Sequence, residues 1–490
     1  MTPTQMKLNE TRLVILLCIL AGIRVLIFTA AFPFFNIVDE SAHFDMIYRY
    51  STGNIPTRLL PYSMECAHMK AFYGTREYYT DWYDFSPEES ARPSWTLSPE
   101  EIAEPYKQAT EAMTGMTDHE STQFSLYYLA EGGWYNIGKA VGLRGGMLLY
   151  WLRIPNIPIY MLLVWIGYLM ARKLYPGNRW LNLGVPAMLA GFPQDIFFGL
   201  NPDVLSALLT TLSLYLILVY YLENRSAVFC ISAGLSVAAA FLAKTSNLPL
   251  LLFFGVILVA KALKSRDVPR LASIFLAAAI PIGAWMVRNK LVLGDFMGTH
   301  AKIVRLSWTV KPLSEWFHHP VFTPQGAAYF WGGLIKTFWR GENIWHRVQI
   351  GSALSDTFYI LTTLAFLAAA GIVVWKQRKE RLMGTLHFLM LGLSAAFVFI
   401  LMIAYDFEGC AYPSKDLPFL TSGRLILGAL VPFLMLYLIG LGAILDRLKI
   451  GRYRWVALAL ILAIALGSGI LLTRNVFASP YNFYHMLGNQ

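Results

Sequence analysis

The sequence predicts an all-α, polytopic transmembrane helical bundle, and three observations carry that expectation. Hydrophobic residues make up 56% of the 490 positions and charged residues only 14%, with mean hydropathy +0.49, whereas soluble domains carry roughly 25% charge. Apolar runs close to the ~20 residues that cross a bilayer recur along the chain. The basic residues behind the net charge of +10 fall in short clusters between those runs. That is how cytoplasmic loops of membrane proteins are marked, and it gives no sign of a nucleic-acid surface.

The runs thread as 13–32, 147–171, 180–199, 204–222, 227–243, 247–262, 271–287, 352–375, 383–404, 425–445 and 455–473, about eleven spans. The first has no small-residue cleavage site behind it and reads as a retained helix of the cell membrane. With a cytoplasmic N-terminus, the clusters Arg172-Lys173…Arg179, Arg225, Lys261…Arg270, Lys376…Arg381 and Arg447…Arg454 all fall inside, as the positive-inside rule asks. The stretch 124–141 is apolar enough to suggest a further span, but it carries Glu131, Gly132, Gly133 and Lys139, and crossing there would invert every later loop. It reads instead as a juxtamembrane or interfacial helix, with its Tyr and Trp at headgroup level.

Residues 33–146 then form one long first external loop carrying juxtamembrane helices, and positions 36–120 hold 15 acidic against 6 basic residues. Residues 288–351 form a second external loop, 1–445 one transmembrane module, and 446–490 the last span with a short external tail. The second loop carries Trp308, Trp316, Trp331, Trp339 and Trp345 with His318, His319 and His346, a composition that suits sugar stacking and anion contact or an interfacial aromatic belt equally. Cys18 and Cys230 lie in spans. Cys66 and Cys410 lie outside, where a disulfide and a free pair both stay open.

This threading brings scattered polar groups to one face: Asp39-Glu40-x-x-His43, Asp118-His119-Glu120, Asn201-Pro202-Asp203, Lys244, Arg288-Asn289 with Gly294-Asp295, and Ser422-Gly423-Arg424. Ionisable groups at membrane depth are costly, so six of them on one side point to a site. Each alone also suits the end of a span. Lys244 interrupts a short apolar hairpin, and Arg24, near the middle of the first span, needs a partner inside the bundle.

The ordered set Val38-Asp-Glu-x-x-His-Phe44, Gly53-Asn-Ile-Pro56, Glu120-Ser-Thr-Gln-Phe-Ser-Leu-Tyr-Tyr128, Asn201-Pro-Asp-Val-Leu205, Ala243-Lys-Thr-Ser-Asn-Leu-Pro249, Pro281-x-x-x-Trp-x-x-Arg-Asn289 and Ser422-Gly-Arg424 resembles the GT-C superfamily of membrane glycosyltransferases. Within it the set is most similar to a bacterial branch of predicted membrane proteins of unknown specificity. The resemblance covers about residues 12 to 440. It departs at Phe124-Ser125, where relatives often carry Pro-Pro, and at Gly423-Arg424-Leu425, where they often read Gly-Arg-Tyr. It implies a polyprenyl-phosphate sugar donor and an extracytoplasmic glycan, lipid or protein acceptor. Asp39 would be the base, with Glu40 and His43 beside it and His43 orienting Asp39. Lys244, Arg288 and Arg424 would hold the donor phosphate, and Asp203 with Glu120 would form a second acidic site. Some members use a divalent cation and others do not. If one is used here, Mg²⁺ or Mn²⁺ on Asp39 and Asp203 would suit a phosphate-bearing donor, although Asp-Glu-x-x-His does not by itself define a closed ligand set.

Other functions compete. A transporter or flippase of lipid-linked sugars would also need many spans and a cationic pocket, but it would line both halves of its path with polar groups. A glycan ligase or polymerase would share almost the same polar inventory.

Overall fold

The apolar runs of the sequence fold as helices, the run 180–199 with a break inside it, in the structure, a computed structural model that describes residues 3–75, 78–79, 92–123, 125–223, 225–265, 267–342, 344–345, 348–410 and 412–487. In chain order the helices are α1 Pro3–Ala31, α2 Glu40–Ser51, α3 Met64–Tyr73, α4 Pro99–Thr114, α5 Leu126–Ala140, α6 Gly145–Arg153 and α7 Asn156–Leu174. They continue with α8 Arg179–Ala190, α9 Pro202–Leu222, α10 Ala227–Ala243, α11 Leu248–Lys264, α12 Val268–Leu293, α13 His300–Arg305 and α14 Leu313–Trp316. The last six are α15 Pro324–Arg340, α16 Ala353–Lys376, α17 Arg378–Ala404, α18 Leu430–Arg447, α19 Arg454–Ala478 and α20 Phe483–Leu487. The described strands are two-residue pairs, so this is an all-α, multi-pass membrane protein.

Among the described residues, 9 helical segments are long and apolar enough to cross a bilayer. Two of the eleven runs are shorter. One is α10, 17 residues long. The other run, 180–199, divides at Gly191-Phe192-Pro193 into α8, 12 residues with Pro186 inside it, and a 3-10 turn at Asp195–Phe198. At about 1.5 Å per residue, α8 falls well short of the ~30 Å hydrocarbon core. Stretch 124–141 becomes α5, 15 residues, with Phe124 outside the described residues. This helix lies tightly on α2: a Cβ on Gly132 would meet the Ser51 backbone nitrogen at 3.0 Å.

Two buried clusters hold the molecule together. The larger joins the spans around Leu163, Leu214, Phe338 and Leu434. The smaller, around Phe44, Tyr127, Tyr128 and Leu149, packs the first external segment onto the ends of those helices. Leu16, Leu263 and Leu471 stay exposed, as bilayer-facing positions should. Arg24 is held inside the bundle, donating to the Ala190 carbonyl (3.2 Å) and lying over the Phe28 and Phe198 rings.

The four cysteines are free, Cys66 against the Ser41 carbonyl and Cys410 against that of Tyr412. Trp339 is fully buried and stacks on Tyr359 at 4.8 Å, which makes it part of the core; Trp331 is exposed. His319 binds the Pro418 carbonyl (2.9 Å), whereas His346 lies outside the described residues.

Candidate active site

The site is built on the corner after α1. Between Ala31 and α2 the chain turns sharply, with Phe35 (φ 64°) and Asp39 (φ 60°) in the left-handed region that L-residues rarely adopt. A closed polar brace holds this turn. The Glu40 carboxylate, 2% exposed as a residue, accepts from Arg153 Nε (2.9 Å) and Nη2 (2.7 Å) and from the backbone nitrogens of Phe35 (2.8 Å) and Leu200 (3.0 Å). Arg153 also donates to the carbonyls of Thr29, Phe32 and Pro33. Removing one partner from such a buried pair costs about 3–5 kcal/mol, so the corner is stiff.

Asp39 therefore starts α2 in a fixed place, and its carboxylate turns away from Glu40 to a different set of partners. Arg424 Nη2 donates to Asp39 Oδ2 at 2.8 Å, while its Nη1 donates to Asp203 Oδ2 at 3.3 Å. Lys244 Nζ donates to the other oxygen of Asp203 at 2.5 Å. On the opposite flank, His119 Nε2 lies 3.5 Å from Asp39 and 3.6 Å from Glu120, and Lys302 pairs with Glu120. Five of the six predicted sites thus enter one network.

Each member is positioned locally. The Asn201 side chain caps α9 by accepting from Asp203 N (3.0 Å), and its Nδ2 donates to the Val38 carbonyl, tying Asp203 to the corner. Lys244 ends α10 at a hairpin held by Asn247, which donates to Ser206 and to the Ala240 carbonyl. Gly423 has no room for a side chain, because a Cβ there would meet the Phe338 nitrogen at 2.1 Å. That close approach sets Arg424 against both carboxylates. A short antiparallel pairing of Leu60–Pro61 with Thr117–Asp118 carries His119 and Glu120 back toward Asp39.

The electrostatics follow from these contacts. Burial opposes ionisation of Asp39, but Arg424 and His119 outweigh it and hold the carboxyl well below the usual carboxylate range. Burial likewise works against Glu120, yet Lys302, His119 and His43 bring it down to about 2. Burial lowers His43 to about 4 despite Glu120 and Asp39, leaving a neutral imidazole. His119 is raised: its contact with Asp39 and the charge of Glu120 overcome both burial and Lys302.

Other predicted residues stand apart. Glu40 belongs to the brace. His43 does not orient Asp39; its Nδ1 pairs with the Tyr128 hydroxyl at 2.8 Å, and its buried Nε2 has no hydrogen-bond partner among the described residues. Arg288 bonds the Pro56 carbonyl (3.1 Å) and Asn289, fixing the 53–56 turn. Asp295 accepts from the backbone nitrogens of Met297, Thr299 and His300 at the start of α13, the helix that presents Lys302.

Sequence reasoning gave no role to His119, Lys302, Tyr128, Arg153 or Glu342, whose carboxyl accepts from Ser422 and whose pKa burial raises against the pull of Arg424. Only His119 had a local signal, its place inside the acidic triplet.

Asp39 and Asp203 do not fit a metal centre as arranged. The Arg424 guanidinium spans the two carboxylates, and among the described residues no three potential ligands converge. Arg424 and Lys244 are the cations paired with Asp39 and Asp203, while Lys302 and His119 lie against Glu120.

Fold and site together define a multi-pass membrane protein with a buried ion network at its helix ends. The family model described as "Predicted membrane protein (DUF2142)" matches residues 22–407, and the chain belongs to that family. No curated protein matches.

Among solved structures, the Archaeoglobus fulgidus oligosaccharyltransferase in its apo form is similar at 11% identity and TM-score 0.44, covering 95% of this chain and 56% of that one. The same protein tethered to an acceptor peptide containing the NVT sequon gives 10% identity and TM-score 0.43, covering 94% and 55%. Its complex with Zn and sulfate gives 14% and 0.38, covering 73% and 44%. The chain spans about half the length of these structures, and the overlays are loose.

Proposed function

We propose that this protein is a GT-C-type membrane glycosyltransferase that moves one sugar from a polyprenyl phosphate to a hydroxyl of an extracytoplasmic glycan, lipid or protein. The observation that carries the reading is the chain Asp39–Arg424–Asp203–Lys244, in which a carboxylate beside the helix ends shares a guanidinium with a second carboxylate that also holds an ammonium. Glycosyl transfer needs both halves of this arrangement: a base for the hydroxyl proton, and cations where negative charge gathers on the leaving phosphate.

In one displacement the acceptor oxygen bonds the anomeric carbon, the bond from that carbon to the phosphate oxygen breaks, and the configuration inverts. Asp39 takes the hydroxyl proton, and the electron pair leaves on polyprenyl phosphate. Arg424 and Lys244 bind that phosphate, loosening from Asp39 and Asp203 as they do so. Freed from Arg424, Asp39 becomes a stronger base at the moment a donor is bound. Arg288 supports the site indirectly, through the 53–56 turn. In this reading the N-terminus is cytoplasmic and the network external, which predicts that cysteines at Ser314 and Lys379 label from opposite sides. A transporter is disfavoured because Asp39, Arg424, Asp203 and Lys244 form one chain at the helix ends, whereas a transport path would need such groups along both of its halves.

The test is mass spectrometry of polyprenyl-phosphate lipids and surface glycans from cells lacking the protein, complemented with the intact chain or with Asp39→Asn. Accumulation of one polyprenyl-phosphate sugar with loss of that sugar from a glycan, rescued only by the intact chain, is the expected result. Equal rescue by Asp39→Asn, or unchanged pools, would overturn the reading.

A further inference from the structure

A second feature lies in the α16–α17 hairpin and does not depend on the catalytic reading. The two helices meet closely at Gly384, where an added Cβ would fall 2.1 Å from the Val374 side chain. Near Gly371 they part, its nearest neighbour of this kind being Phe388 at 3.9 Å. The parting leaves an open groove of about 450 Å³ lined by Gly371, Val374, Trp375, Arg381, Thr385 and Phe388, within the range of lipid- and ligand-sized sites. Arg381 Nη2 donates to the Trp375 carbonyl at 2.7 Å, which fixes the guanidinium at the rim while the side chain stays exposed. Trp375 itself is 80% exposed.

We propose that this groove holds the phosphodiester headgroup and upper acyl chain of an anionic phospholipid. Charge selects the headgroup: positions 376–381 carry Lys376, Arg378, Lys379 and Arg381 against Glu380 alone. Basic pockets between membrane helices attract anionic headgroups. The apolar walls select a lipid over a soluble anion, since Val374, Trp375 and Phe388 line the groove between α16 and α17, both long and apolar enough to cross the bilayer. Trp375 suits the interface between the two regions.

The test is native mass spectrometry of the full chain in detergent, titrated with phosphatidylglycerol or with phosphatidylcholine of the same acyl chains. The intact protein should retain phosphatidylglycerol preferentially, and Arg381→Gln should weaken that retention about fivefold. Gly371→Leu fills the groove without touching charge and should cause a similar loss; if it unfolds the hairpin, Thr385→Leu fills the same space from the other wall. Arg447→Gln with Lys449→Gln, in a different basic loop, should retain lipid as the intact chain does. Equal retention of both lipids, no effect of the groove variants, an equal loss in the control, or displacement of phosphatidylglycerol by glycerol 3-phosphate would each overturn the proposal.

Discussion

Asp39 and Glu40 are neighbours with the same charge, both drawn largely out of water, and the fold uses them in opposite ways. Glu40 is closed: Arg153 and two backbone nitrogens occupy both of its oxygens, and its side chain is 1% exposed. Asp39 is shared: its side chain is 24% exposed, and Arg424, its strongest partner, is also bound to Asp203. A closed pair stiffens its surroundings and has no capacity to spare. A shared, half-open pair can exchange a partner for a ligand. The left-handed backbone at residue 39 makes the division possible by turning consecutive carboxylates apart.

The sharpest way to break this comparison is to neutralise each carboxylate in turn. Asp39→Asn should lower transfer by about 10²-fold or more, the usual worth of a general base, while leaving the thermal midpoint of the detergent-solubilised protein near that of the intact chain. Glu40→Gln should do the reverse: a loss of about 3–5 kcal/mol in stability, seen in the unfolding midpoint, with transfer reduced only as far as folded protein is lost. If Glu40→Gln folded normally yet abolished transfer, the division of roles would fail.

Arg424→Lys tests the sharing itself. One ammonium cannot serve two carboxylates in the planar, forked geometry of a guanidinium. Losing one charge-assisted hydrogen bond is worth about 1.5–3 kcal/mol, so kcat/KM for the donor should fall roughly ten- to hundredfold. Unchanged kinetics would mean that Arg424 does not hold the phosphate through its fork.

The same pair shows what a sequence can and cannot disclose. The helices were legible because hydropathy is a property of consecutive residues, whereas the break inside the 180–199 run was not, because Pro193, Gln194 and Asp195 interrupt a stretch whose average stays apolar. Asp39, Asp203, Lys244 and Arg424 were legible as candidates because charge at the end of a span is costly. Their pairing was not, since Arg424 meets Asp39 across 385 positions. Glu40 was grouped with Asp39 in the catalytic set because period and composition cannot say which way a left-handed residue turns its neighbours. Lys302 was invisible for a related reason: it reaches Glu120 only because Asp295 caps the short helix that carries it.

The smallest expected effect concerns the outer flank of the network. Glu120 falls from 4.5 to about 2 because Lys302, His119 and His43 outweigh its burial. The folded state therefore binds fewer protons than the unfolded one in that window. The stability Glu120 contributes is complete above 4.5 and drains away as pH falls toward 2. His43 acts in the same direction at higher pH. Burial lowers its pKa from 6.5 to about 4, so the folded state resists protonation and stability declines across that interval. Unfolding midpoints measured against pH should show the difference between the intact chain and Glu120→Gln shrinking only in the acid window, and that between the intact chain and His43→Gln shrinking above it. Asp39 also leaves its pair in acid, so Glu120→Gln should reduce the acid loss without removing it. A Glu120→Gln curve parallel to that of the intact chain would show that Lys302 does not stabilise Glu120, and would leave Asp39 as the acid-sensitive member of the network.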